Sequence, residues 1–211
     1  GWFMVAVDSL APWYCLGVDT VAPVIRATTN TTAVDHGSTP ILSFTATDNI
    51  ANPVFVLRYR IGGERTWRTD TLRRDAGGNA GVSISEPAAA HHGIVYAGEG
   101  FDGTNRVVLD TRNILVNISR LAMDGNFESD AYRMISVPAN NRGRRISDIL
   151  FDDLGEFDKT RWRIYDLNGD AFTEITADNP TAFRPGHAVW LRSRKSPLID
   201  IDSAQTVGAG E

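Results

Sequence analysis

Val54-Phe55-Val56-Leu57-Arg58-Tyr59-Arg60-Ile61 runs into Gly62-Gly63 and returns through Thr66-Trp67-Arg68-Thr69. Branched and aromatic side chains favour extended chain, and a glycine pair between two such runs is a hairpin signal. On the N-terminal side, Ile41-Leu42-Ser43-Phe44-Thr45-Ala46-Thr47 alternates large apolar with small polar residues, as a strand with one buried face does. Further short extended runs lie at 24–28, 82–84, 93–97, 107–109 and 114–116, with Asp102-Gly103-Thr104-Asn105 as a turn. Helix signals are almost absent between 24 and 118. Many short strands with frequent turns predict an antiparallel β-sandwich over 19–119.

Either side of this block the pattern changes. Gly1-Trp2-Phe3-Met4-Val5-Ala6-Val7 is apolar but has no basic flank, so it reads as a strand rather than a signal peptide. Residues 10–23 hold prolines and a glycine, so 1–18 reads as a strand and linker belonging to a preceding module. Pro23, closing Asp19-Thr20-Val21-Ala22-Pro23, blocks helix and starts the sandwich in extended chain. Residues 119–131 contain Asp124-Gly125-Asn126 and few large apolar side chains, which marks a second boundary. The region 132–211 reads as a smaller mainly-β module, truncated, with one short helix. Strands are expected at 132–138, 162–165, 172–175, 188–192 and 198–201. The helix is expected over 149–154, with Ser147 as its cap and Gly155 ending it. Asp166-Leu167-Asn168-Gly169-Asp170 joins two strands through an Asn-Gly turn.

Composition narrows the function. The chain has 211 residues, 42% of them hydrophobic and 22% charged, which is ordinary for a globular protein rather than a disordered one. The net charge of −5 argues against nucleic acid as a main partner, because phosphate binding needs a concentrated basic surface. Arg142, Arg144 and Arg145 read as a solvated turn. Cys15 is the only cysteine, so no disulfide can form within the chain, and it reads as buried apolar filling. No apolar run approaches the roughly 18 residues of a membrane span.

The sequence carries no catalytic constellation. There is no Gly-x-Ser-x-Gly elbow, and His36, His91, His92 and His187 stand in turn-like segments. His91-His92 would point to opposite sides of a strand, which does not chelate a metal. Asp152 and Asp153 are adjacent and read as a helix surface. Asp166 to Asp170 starts like a calcium loop, but Ala171 and Ala177 stand where that loop needs Gly and Glu. Calcium is better placed at a pole of the sandwich, on Asp48, Asn49 and Asp102, whose strand ends converge there. Trp67, Trp162 and Trp190 are the candidates for a sugar platform. Trp190, in an apolar run, reads as core, and Trp67, beside the hairpin, reads as the exposed ligand-binding ring. Asn30-Thr31-Thr32 and Asn117-Ile118-Ser119 fit the glycosylation sequon.

Two segments resemble known modules. Asp19 to Pro23, Ala46-Thr47-Asp48, the Tyr59 to Trp67 hairpin and Gly93-Ile94-Val95-Tyr96 with Asp102 resemble bacterial immunoglobulin-like and fibronectin type III-like repeats. Tyr132 to Pro138, Asp153-Leu154-Gly155, Trp162 to Tyr165 and Arg184-Pro185-Gly186-His187-Ala188-Val189-Trp190-Leu191 are similar to a C-terminal-type module of large surface proteins. Those proteins are exported by Bacteroidetes-like bacteria through a type IX-like pathway. The resemblance implies an extracellular or cell-surface location and a non-catalytic structural, spacer or attachment role. Its expected partners are the other domains of the same polypeptide, with a surface glycan or protein as a further partner. The alternative is a carbohydrate- or protein-binding accessory module of a secreted hydrolase.

Overall fold

In the computed structural model, residues 19–29, 31–49, 53–75, 77–123, 128–176 and 180–208 are described. The strand expected at the N-terminus and Cys15 fall outside them. The chain divides into two compact units. One holds Ser38–Ile114 with the chain up to Thr32; the other holds Ala33–Gly37 with the chain from Leu115 onward.

The first unit is an immunoglobulin-like antiparallel β-sandwich. One sheet has the order β1 (Val24–Ala27), β3 (Ile41–Thr47), β6 (Asn79–Ser83). The other has β5 (Arg68–Leu72), β4 (Val54–Ile61), β7 (Ile94–Phe101) and then the first residues of β9 (Arg112–Ala122), with β8 (Arg106–Val108) folded back on β7. Strand alternation selects the core. Phe55, Leu57 and Ile61 of β4 are buried, while Val54 and Arg58, of the opposite parity, are exposed. Leu42, Phe44 and Ala46 do the same from β3. The two sheets meet where the Phe44 ring lies 4.4 Å from that of Phe55 and edge-on to Tyr96 at 6.2 Å. They approach so closely that a Cβ on Gly100 would stand 1.6 Å from Ile25 Cδ1. Glycine is what lets β1 cross β7 there.

One helix of this unit is not legible in the sequence. Pro87–His92 forms α1, with proline at its start and Gly93 (φ +73°) closing it through an N–H bond to Ala89 O. His91 and His92 are therefore exposed helix residues rather than loop residues. Six residues offer too little periodicity to announce a helix.

The second unit is smaller and mainly β. Its antiparallel sheet has the order β10 (Tyr132–Ser136), β13 (Ala188–Ser193), β11 (Trp162–Asn168), β12 (Ala171–Ile175). The β11–β12 turn is the Asn168-Gly169 hairpin, with Gly169 at φ +63°. The later residues of β9 pair with β14 (Asp200–Gln205) and, in parallel, with β2 (Ala33–Asp35). Strand β9 thus runs on to Ala122, inside the stretch that reads as a boundary in the sequence. Helix α2 spans Ile146–Leu154 and buries Ile146, Ile149, Leu150 and Leu154. It begins after Arg145, so Ser147 lies within it and bonds Asp148 instead of capping; Gly155 (φ +75°) ends it as expected. No helix among the described residues is long and apolar enough to cross a membrane.

Candidate functional site

The four-stranded sheet of the second unit has two unlike faces, and register shows which residue belongs to which. Trp162, Ile164 and Ile175 share one side with Ile135, Val189 and Leu191, and all are buried in the unit's core. The residues between them form the outer face. Met134, Trp190, Tyr165 and Glu174 lie in one transverse row, and Tyr132, Arg192 and Arg163 in the next. Leu167 and Phe172 stand opposite each other in a third. Tyr132, Met134, Leu167 and Phe172 are at least half exposed. Tyr132, Tyr165, Phe172 and Trp190 line a shallow depression of about 430 Å³ on this face.

Trp190 is thus a correction to the sequence reading. It is half-buried on the outer face, not core. Ala188-Val189-Trp190-Leu191 is apolar without interruption, so alternation could not show which residues point out. Trp162, one strand away and of opposite parity, is the core tryptophan, at 3% exposure.

Charged side chains frame the depression and hold its rings. Arg163 donates from Nε to Glu174 Oε1 at 2.6 Å and from Nη2 to Oε2 at 2.9 Å, a two-pronged pair across β11 and β12. This pairing holds the Glu174 carboxyl below its usual range and raises the Arg163 guanidinium. The same guanidinium lies 5.2 Å from the centroid of Tyr165, and Arg192 lies 5.6 Å from that of Tyr132 while bonding Asp130 at 3.3 Å. The Tyr132 and Tyr165 rings are 6.0 Å apart and tilted by 50°.

Trp67 is 40% exposed beside the first unit's hairpin, with the Arg60 guanidinium 5.1 Å from its ring. Its hairpin is fixed by Arg68, which pairs with both Glu64 and Glu86, and by Tyr59, whose hydroxyl donates to Glu86 at 3.0 Å.

At one pole of the sandwich the structure brings Asp48 and Asp102 together with Asp19, their carboxylate oxygens within 4.8 Å of one another. Asn49, two residues beyond β3, is exposed. Hard cations take oxygen ligands from such groups. Much of this cluster also builds a turn. Asp102 Oδ1 accepts from Thr104 and Asn105 N–H at 2.7 and 2.6 Å. Partial burial pushes its pKa up, but those N–H bonds outweigh it and hold the carboxyl below the ordinary range. The Asn105 amide then donates to the carbonyls of Asp19 and Val21, and Asp19 accepts from Val21 N–H. Only the folded chain brings Asp19 here; the sequence signals it solely as the start of the module.

A second acidic group, Asp152, Asp200 and Asp202, lies in the other unit. Arg120 pairs with Asp200, and Asp153 accepts the Asp200 N–H at 2.8 Å. Burial, then the nearby Asp200 and the shared hydrogen bond with Asp152, raise the Asp202 pKa; burial chiefly raises that of Asp153. A carboxyl raised in the folded state binds its proton more tightly there. It costs nothing below the unfolded pKa, and it destabilises the fold as pH rises through the raised value. Asp202→Asn is therefore expected to stabilise the chain at neutral pH by roughly a few tenths of a kcal/mol, since the side chain is exposed. The gain should vanish in midpoints measured near pH 3; an equal gain at both pH values would contradict the assignment.

The His187 ring comes nearest to a catalytic arrangement, with Nε2 lying 2.9 Å from Asp166 Oδ1. Its Nδ1 is buried and makes no hydrogen bond among the described residues, so no hydroxyl stands on it as in a nucleophile triad. Arg142 bonds Asn117, and Arg144 bonds the carbonyls of Asp202 and Asp148. All three bonds lie within the second unit.

No protein-family model matches the chain, and no curated protein does. Among solved structures, it is similar to the two tandem V-type regions of VCBP3, a v-region-containing chitin binding protein. The identity is 8%, the TM-score 0.28, and the match covers 88% of this chain and 98% of that one. A likeness of that order bears on neither site.

Proposed function

We propose that this chain is a non-catalytic attachment module of a secreted bacterial cell-surface protein, and that the outer face of the second unit's sheet makes the contact. The observation that carries it is the set of Tyr132, Tyr165, Phe172 and Trp190 turned away from the core, with paired arginines over the two tyrosines. A passive spacer has no use for such a face. Large side chains exposed together mark interaction surfaces more often than chance, because water contact with them is costly. The resemblance of 19–118 and 132–201 to modules of exported surface proteins supports the location. The alternative role, an accessory binding module of a secreted hydrolase, uses the same face.

The test is retention of the purified chain on insoluble bacterial cell-envelope material. The Phe172→Ser/Trp190→Ala variant should be retained about tenfold less while still unfolding cooperatively, at a stability loss of only about 1–2 kcal/mol. Equal retention of the two proteins, or no retention of either, would end the attachment reading.

A further inference from the structure

We infer that the ligand of this outer face is an uncharged glycan, bound through roughly one or two pyranose rings. The inference rests on the attachment reading above and adds the ligand's chemistry. Three observations lead to it.

The first is charge. Two cations, Arg163 and Arg192, frame the depression, and each already has its carboxylate, Glu174 and Asp130 respectively. The rim therefore offers donors and acceptors side by side but no net charge from these pairs. A polyanion would have to displace Glu174 from a two-pronged pair, and a polycation would have to displace Arg163. A hydroxyl group can accept from the guanidinium and donate to the carboxylate at once, leaving both in place.

The second is ring chemistry. The depression is lined by four aromatic side chains, whose faces suit the C–H surface of a pyranose. Tyr132 and Tyr165 are fixed by the arginines over them, so little conformational entropy is lost when a ligand arrives.

The third is extent. The depression is about 430 Å³, at the small end of ligand clefts. The four rings with Met134 and Leu167 expose on the order of 500 Å². A stable protein partner, a second copy of this chain included, needs about 800 Å² on each side and would have to reach well beyond these six residues. The face is sized for a short stretch of polymer.

The experiment is affinity electrophoresis of the whole chain in gels containing soluble neutral polysaccharides (hydroxyethyl cellulose, xylan, glucomannan) or anionic ones (alginate, polygalacturonate). Sedimentation of the free chain runs alongside. The expected result is retardation by at least one neutral polymer, unchanged at high salt and weakened about tenfold in Phe172→Ser/Trp190→Ala. Glu174→Gln should weaken it a few-fold without a change in oligomeric state. Binding restricted to the anionic polymers and abolished by salt would overturn the uncharged class while leaving attachment intact. So would a failure to bind any polymer combined with continued envelope retention or with a dimer that the double variant disperses. Failure to bind both polymers and envelopes would sink the attachment reading as well.

Discussion

Phe55→Ala is expected to destabilise the first unit by about 3–5 kcal/mol, the range for deleting a fully buried phenylalanine ring. Phe55 is 0% exposed. Its ring meets Phe44 from the facing sheet at 4.4 Å, and a Cβ on Gly98 would stand 2.7 Å from its Cζ. The cost has two parts. Transfer of the lost ring atoms accounts for one, and the cavity left between two sheets that cannot close on it accounts for the other. Its neighbour Val54 points the other way and is 46% exposed, so Val54→Ala should cost no more than about 0.5 kcal/mol. The check is the urea midpoint of both variants at unchanged slope. Equal losses would mean that the alternation of this strand has been read in the wrong register.

Trp162→Ala is expected to cost the second unit a similar 3–5 kcal/mol or so. The indole is buried in the core, meets Phe157 edge-on at 5.0 Å, and donates its N–H to Gly155 O at 3.2 Å. Removing it empties the space beneath the sheet. It also leaves the carbonyl of the residue that closes α2 without this donor. Trp190→Ala, one strand away on the outer face, should cost only about 1 kcal/mol, since its ring is only partly buried. Two tryptophans of similar sequence context would then separate cleanly, one sustaining the fold and the other dispensable to it. Near-equal losses would place Trp190 in the core and remove the contact surface.

Alternating strands make much of the fold legible in the amino-acid sequence. Ile41 to Thr47 and Val54 to Ile61 each announce a buried side, and both sheets of the sandwich form around those sides. The Asn168-Gly169 turn and the Gly155 helix end are equally plain, because glycine there adopts positive φ at little cost. What stays hidden has physical causes. Alternation vanishes in an unbroken apolar run, so Trp190 cannot be told from core. Helix α1 is too short to show a period. Ser147 suits a cap by residue type, but Ile146 is needed in the core and draws the helix start back to Arg145. The convergence of Asp48 and Asp102 follows from the strand ends, whereas Asp19 joins them only through the Asn105 clamp. Of the four strands that assemble the aromatic face, only β11 and β12 announce their pairing locally, through the Asn-Gly turn; no local pattern encodes how β10 and β13 join them.

The most direct test of the contact surface is hydroxyl-radical footprinting of the native chain, read residue by residue. If the outer face is open to solvent, Tyr132, Met134 and Phe172 label quickly while Trp162 and Phe183, both buried in the second unit's core, stay protected, and bound polymer or envelope material then shields the first three. Slow labelling of Tyr132, Met134 and Phe172 in the free chain would show the face already covered, and the account of its function would not survive that result.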